Sequence, residues 1–488
     1  MNTTPVSTAQ PRGIYTLFFT EMWERMSYYG MRALLILYMT AATAKGGMGL
    51  PDKVAASIYG LYVCAVYLVA LPGGWIADRL IGPQRAVLVG GIIIALGHFT
   101  LAIPATPTFF LGLLLVVLGT ALLKPSASSL VGLIYPEGGA RRDAGFTLYY
   151  MGVNLGAFIG PLVCGWLGEK VNWHYGFAAA GVGMVGGVIQ YVLTAKHLGD
   201  AGRAAPNPSL TPAKHWRRVW IAVGTIALVA LLAMTGVLVI NPVAVARYTS
   251  AGILSVAVGW FVLVFVVAKL SMIEKKRLVV VAVLFAAAAL FWSGFEQAGS
   301  SMNLFAERYT RRLLLGWEIP AGWFQSINAI FVLLFAPLFS WLWLAMARRG
   351  WLPSLAGKFA AGLLLLAGGF LVMHFAARLA LGEGSVGPGW LTTTYLLLTW
   401  GELALSPVGL SAVTKLAPAR LATQTMGIWF LAASLGNLLA GLLAGEMSGD
   451  DAHAMPALFM QIVLTAGGAA LLLALFARPL RRLAGGAD

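Results

Sequence analysis

Runs of about twenty apolar residues, long enough to cross a hydrocarbon core, recur along the whole chain between short polar or Gly/Pro-containing stretches. The runs are continuous and rich in Leu, Ala, Val and Gly, whereas a barrel shows short alternating segments, so they predict helices. Fourteen spans follow, with approximate cores at 14–40, 53–78, 86–103, 108–134, 145–168, 174–196, 215–240, 249–270, 278–307, 322–346, 354–380, 388–416, 421–446 and 455–480. Gly82-Pro83, Pro104 with Pro107, Asn241-Pro242 and Gly387-Pro388 punctuate them. The start, Met1 to Pro11, is polar and lacks a cleavable signal pattern, so the first helix is expected to direct insertion.

Gly199 to Pro212 is rich in Pro, Ala and Gly and reads as a linker that divides six spans from eight. The next two spans have almost no polar residue in their cores and nothing with which to line an aqueous path. They are expected to form a peripheral pair. The organisation predicted is a six-helix bundle over 1–198, linker and helix pair over 199–272, and a second six-helix bundle over 273–488.

The first span breaks the apolar pattern. Glu21, Glu24, Arg25, Tyr28 and Arg32 recur at helical spacing and form one polar stripe, expected to face inward, with Leu34, Leu35, Ile36 and Leu37 left for the lipid. An ionised side chain at the bilayer centre costs about 2.5–3.5 kcal/mol even on the lenient insertion scale. A stripe of both signs held away from lipid suits the handling of protons or solutes.

Composition agrees with a membrane protein: of 488 residues, 59% are hydrophobic and only 10% charged, against about 25% charged in soluble proteins. The net charge of +15 would suit a nucleic-acid binder, but its distribution does not. With both ends inside, 22 of the 33 Lys and Arg fall on the inner face and 8 on the outer; Arg25, Arg32 and Lys124 lie in the membrane. Cys64 and Cys164 sit in apolar runs and read as buried thiols. No histidine pair has metal-ligand spacing, and no phosphate loop or nucleophile elbow is present, so neither a metal nor a cofactor is called for.

Four acids are embedded, Glu21, Glu24, Glu296 and Glu402, against three bases, Arg25, Arg32 and Lys124. The surplus carboxyl is the natural candidate to be protonated in one state and ionised in another. Lys124 precedes Pro125, which kinks its helix and lets the lysine aim at the first-span stripe. Tyr150 and Asn154 share a face, with a stripe of Gly152, Gly156 and Gly160 roughly opposite that permits close packing. Ser406 lies four residues past Glu402 and before Pro407, where an interruption of that helix is expected. Asp78, Arg79 and Arg85 cluster at the inner end of the second span, where they can tie neighbouring helices. Trp429 is mid-span and faces a path or a core.

At these residues the chain resembles the proton-dependent oligopeptide transporter family of the major facilitator superfamily. Glu21-xx-Glu24-Arg25 with Ser27-Tyr28-Tyr29-Gly30 is similar to the family's first-helix hallmark. Gly73-Gly74-xx-Ala77-Asp78 and Tyr149-Tyr150-xx-Val153-Asn154-x-Gly156 are similar to its second- and fifth-helix signatures. Phe291-Trp292, Phe295-Glu296-Gln297, Phe324-Gln325-Ser326-x-Asn328 and Gly401-Glu402 with Ser406-Pro407 resemble its C-terminal motifs. The departures are mild: Met26 and Tyr149 stand where Phe is usual, Val153 where Ile is usual, and Ala329 where Pro is common.

The resemblance implies an all-helical major facilitator fold and proton-coupled symport of di- and tripeptides by alternating access. It also implies a multi-pass protein of a bacterial inner membrane, with both termini cytoplasmic and lipid as surroundings. No enzyme activity, nucleic acid or obligate protein partner is expected. Under that reading Glu21, Glu24, Arg25, Lys124 and Glu296 handle protons. Arg25, Arg32 and Lys124 meet the peptide carboxylate and Glu402 its ammonium. Tyr150, Asn154, Asn328 and Ser406 border the ligand, Tyr28, Tyr29, Tyr67 and Trp429 wall side-chain pockets, and Asp78, Arg79 and Arg85 gate. A symporter of another anion such as nitrate would keep the first-helix cations but not need Glu402. A channel, a receptor, a membrane enzyme and an antiporter are further alternatives.

Overall fold

In a computed structural model, described for residues 9–137, 139–351, 353–446 and 454–485, the chain is almost entirely helical. The long helices are α1 (Arg12–Thr40), α2 (Asp52–Ile81), α3 (Pro83–Leu101), α4 (Thr106–Leu133), α5 (Gly139–Trp166), α6 (Trp173–Thr194) and α7 (Pro212–Met234). They continue with α8 (Pro242–Val267), α9 (Met272–Tyr309), α10 (Ser326–Arg348), α11 (Leu355–Glu383), α12 (Gly389–Leu416), α13 (Ala422–Ala444) and α14 (Ala454–Leu475). Twelve of them are long and apolar enough to cross a membrane. With α1 and α12, at 29 and 28 residues, the described residues hold fourteen helices of bilayer length, as the hydropathy pattern predicts.

The boundaries differ most at α7 and α8. The first ends at Met234 instead of 240, where Gly236 takes φ 75°; the second starts at Pro242 instead of 249. Asn241 caps α8, its side-chain oxygen accepting from the Ala244 N–H, and Pro242 occupies the first turn. What reads as punctuation is therefore a helix start.

The chain divides into two compact units. The first comprises Met1–Arg32 and Val69–Ile240. Within it α3 and α4 close backbone to backbone at two glycine pairs. A Cβ on Gly90 would stand 2.6 Å from the Gly119 carbonyl oxygen, and one on Gly112 would stand 2.8 Å from that of Gly97. None of the apolar window of α7 is buried in protein, so lipid is its solvent. The Gly199–Pro212 stretch is ordered against the α2–α3 turn. Gln84 donates through its side chain to the carbonyls of Gly199 and Ala201 (3.0 and 2.8 Å), and the Asn207 and Ser209 N–H groups donate to those of Asp78 and Arg79 (3.0 and 3.1 Å).

The second unit comprises Ala33–Leu68 and Asn241–Asp488. It too is closed by small residues. Gly60 of α2 meets Gly441 of α13, and Gly362 of α11 meets Gly401 of α12, at separations that leave no room for a side chain. Among the described residues the only strands form a hairpin, Leu313–Leu314 with Trp317–Glu318, pinned by an Arg312–Glu318 ion pair at 2.9 Å.

Leu34, Leu35, Ile36 and Leu37 belong to this unit, and they are buried in protein, not given to lipid. Asn303 donates to the Ala33 carbonyl at 2.8 Å, so α1 beyond Arg32 is packed as core. Hydrocarbon tails are as apolar as leucine, so the sequence pattern alone does not separate a lipid face from a packed one.

Candidate functional site

In the first unit the polar stripe of α1 is interior: Glu21, Glu24, Arg25 and Arg32 are all at most 5% exposed. The Arg25 guanidinium nitrogen Nε lies 3.0 Å from Glu21 Oε1 and also contacts Glu24 Oε2, so one cation serves two carboxylates. Ser27 donates to the Glu24 carbonyl at 2.9 Å. The guanidinium of Arg25 stands 5.2 Å from the ring centre of Tyr28, and that of Arg32 stands 5.6 Å from Tyr29, so each aromatic face meets a cation. Lys124, half-buried on α4 just before the in-helix Pro125, acts electrostatically on Glu24. The structure thus joins Glu21, Glu24, Arg25 and Lys124 as the sequence suggests.

The α5 glycine stripe packs on α1. A Cβ on Gly152 would meet the Phe18 carbonyl oxygen at 2.6 Å, and Cβ atoms on Gly156 and Gly160 would collide with those of Met22 and Met26. This close approach carries in a residue that spacing arguments passed over. Tyr149, three residues before Gly152 and on the same face, donates its hydroxyl to Glu21 Oε2 at 2.6 Å. The legible signal was its register with the glycines. Asn154 is buried and donates to the Tyr150 carbonyl at 2.9 Å, while Tyr150 is substantially exposed. Asp78 is half-buried, and Arg79 and Arg85 are exposed. Backbone hydrogen bonds at Asp78 and Arg79 hold their turn to the 199–212 stretch.

In the second unit, Asn328 Nδ2 donates to Glu402 Oε2 at 3.2 Å and to Thr399 Oγ1 at 3.0 Å, and Thr399 in turn donates to the Tyr395 carbonyl. Glu296 is 3% exposed and sits where α9 changes from a regular helix (Met272–Phe295) to a tighter turn (Glu296–Gly299) before resuming at Ser301. The break contains no proline. Gln297 organises it, donating to the carbonyls of Ser293 and Ala440 and accepting from Ser301 at 2.6 Å. Sequence reasoning missed that role. Glu296 lies within electrostatic reach of Glu402. Tyr67 and Trp429 are half-buried, and Trp429 stands edge-on to Phe359 at 6.2 Å. The Ser406 side chain lies outside the described residues. Helix α12 runs through Pro407 undivided, so the interruption expected there is not a break.

The charges therefore sort by unit. The first carries two embedded acids and three bases, the second two acids, Glu296 and Glu402.

Known proteins resemble the chain along most of its length. A sequence model described as the POT family (PTR2) matches residues 84–456. The chain is 44% identical over 485 residues to the peptide transporter YePEPT of Yersinia enterocolitica subsp. palearctica, covering 97% of this chain and 95% of that protein. It is 37% identical to a di-/tripeptide transporter of Lactococcus lactis subsp. cremoris, with 87% of each covered. Among solved structures, a peptide transporter POT in complex with sulfate superposes with a TM-score of 0.90 at 40% identity, covering 97% and 96% of the two chains. A POT family transporter in complex with 5-aminolevulinic acid gives 0.87 at 33%, covering 96% and 97%.

Proposed function

The chain belongs to the POT family, and from that premise we propose that it imports di- and tripeptides together with protons across a bacterial cytoplasmic membrane, with both termini cytoplasmic. The division of embedded charge between the two units carries this reading. A peptide zwitterion presents one carboxylate and one ammonium. The surplus of cation in the first unit, with Arg25, Arg32 and Lys124, suits the carboxylate; a guanidinium can hold it through two hydrogen bonds. Glu402 of the second unit, steadied by Asn328, suits the ammonium. Only the two termini are read, so many side chains are tolerated beside Tyr28, Tyr29, Tyr67, Tyr150 and Trp429, with Asn154 and Ser406 adding neutral hydrogen-bonding groups.

The other carboxyls are the proton carriers. Glu21 and Glu24 share Arg25, and Glu24 also feels Lys124, so a ligand that draws these cations away changes how well each carboxylate is compensated. Glu296 answers in the other unit. The halves 1–198 and 273–488 alternate access, and the turn bearing Asp78, Arg79 and Arg85 belongs to the inner gate.

A symporter of nitrate would have no use for Glu402, and the relatives named above give it no support. The purified protein in sealed vesicles is expected to take up labelled dialanine when the outside is made acidic, and unlabelled dialanine should compete whereas nitrate at the same concentration should not. Competition by nitrate and not by dialanine would replace this reading with the anion one.

A further inference from the structure

Glu21 and Glu24 share one guanidinium, yet their surroundings differ. Glu21 has a cation beside one oxygen and a hydrogen-bond donor on the other: Arg25 Nε lies 3.0 Å from Oε1 as an ion pair, and the Tyr149 hydroxyl donates to Oε2 at 2.6 Å. The Tyr149 oxygen lies 3.4 Å from Ser128 Oγ. Its single proton points at Glu21, so in this contact Ser128 is the donor. Ser128 stands one helical turn beyond Lys124 on α4, and Tyr149 is only 8% exposed. A chain of donors therefore runs from α4 through α5 to a carboxylate on α1, and it brings no charge with it.

Among the described residues, the following groups bear on Glu21. Its own helix offers Arg25 and Glu24; α5 offers Tyr149; α4 offers Ser128 by way of Tyr149, and Lys124 by way of Glu24. At the adjacent position, Thr20 donates to the Gln190 side-chain oxygen of α6 at 3.2 Å, an uncharged contact. Tyr149 is thus the neutral group that does for Glu21 what Lys124 does for Glu24.

From this arrangement we infer that Tyr149 is a positioning residue for proton coupling: its hydroxyl, backed by Ser128, holds one oxygen of Glu21 and so sets the acidity at which that carboxylate takes up the coupling proton. A hydrogen bond donated to a carboxylate favours its ionised form, so removing the donor lets the proton bind at lower acidity. The inference rests on the reading of Glu21 as a proton carrier.

The test is the pH profile of acid-driven dialanine uptake in vesicles, each variant normalised to its own maximum. Tyr149→Phe keeps the ring that packs in the interior and deletes only the hydroxyl. Its midpoint is expected to move to higher pH by about 0.5 to 1 unit, a threefold to tenfold change in proton concentration. A merely structural role would lower the maximum without moving the midpoint. A Tyr149→Phe profile that superimposes on the wild type overturns the inference. Should that variant fail to reconstitute, Ser128→Ala decides: a smaller shift in the same direction supports the inference, and an unmoved midpoint overturns it. Wild-type protein whose dialanine uptake ignores external acidity would instead overturn the underlying function, which keeps the two failures apart.

Discussion

Glu296→Gln is expected to abolish proton-driven accumulation of dialanine while exchange of labelled for unlabelled peptide survives. Glutamine keeps the size and hydrogen-bonding reach of the side chain but takes up no proton. The site tolerates it sterically because Gln297, not Glu296, organises the break in α9. What is lost is the second unit's buried titratable partner to Glu402. Each proton moved down 100 mV supplies about 2.3 kcal/mol, which at about 1.4 kcal/mol per decade sustains roughly 50-fold accumulation. Without the carrier, the internal and external peptide concentrations should equalise, a ratio near one. Lys124→Ala should behave in the same way from the first unit, because Glu24 then keeps only Arg25, which it shares with Glu21. Wild-type accumulation in both variants would remove the coupling scheme. The comparison of driven uptake with exchange separates loss of coupling from loss of folding, since a misfolded protein loses both.

The second large effect concerns the amino end of the ligand. Glu402→Ala is expected to raise the apparent KM for dialanine by about 10- to 100-fold, as loss of a charge-assisted hydrogen bond is worth about 1.5–3 kcal/mol. N-acetylated dialanine, which has no ammonium, should be taken up equally poorly by both proteins. The variant therefore loses its preference for a free amine, which a general packing defect would not cause. Asn328 donates to Glu402 and to Thr399 together, so the carboxylate is held ready before any ligand arrives. A preference for free-amine peptides that persists in Glu402→Ala would assign that end of the ligand to another group.

The division between legible and illegible features follows from what each residue must do. The α1 stripe could be read because charge in hydrocarbon is costly and helical periodicity is strict, which leaves few places for Glu21, Glu24, Arg25 and Arg32 to go. The fourteen spans could be read because each needs about twenty apolar residues. The surroundings of Leu34 to Leu37 could not, since lipid and protein core present the same apolar environment to a leucine. The ordering of 199–212 was hidden for another reason. Its contacts with the α2–α3 turn run largely through backbone carbonyls and N–H groups, which every residue carries, with the Gln84 side chain added. The break at Glu296 has no proline to announce it; a single glutamine satisfied by two carbonyls and a serine stands in its place. Tyr149 shares the register of the glycine face, but its partner lies 128 residues away in sequence and is fixed only by the close approach that Gly152, Gly156 and Gly160 permit.

The central claim is that buried ionisable groups change partners as proton and peptide arrive together. The most direct measurement is the accumulation of dialanine by sealed vesicles of the purified protein, with pH gradient and membrane potential varied independently. Accumulation should rise with either force and collapse when a protonophore dissipates both. Dialanine entry that proceeds at one rate whatever the pH gradient and the voltage would contradict the claim.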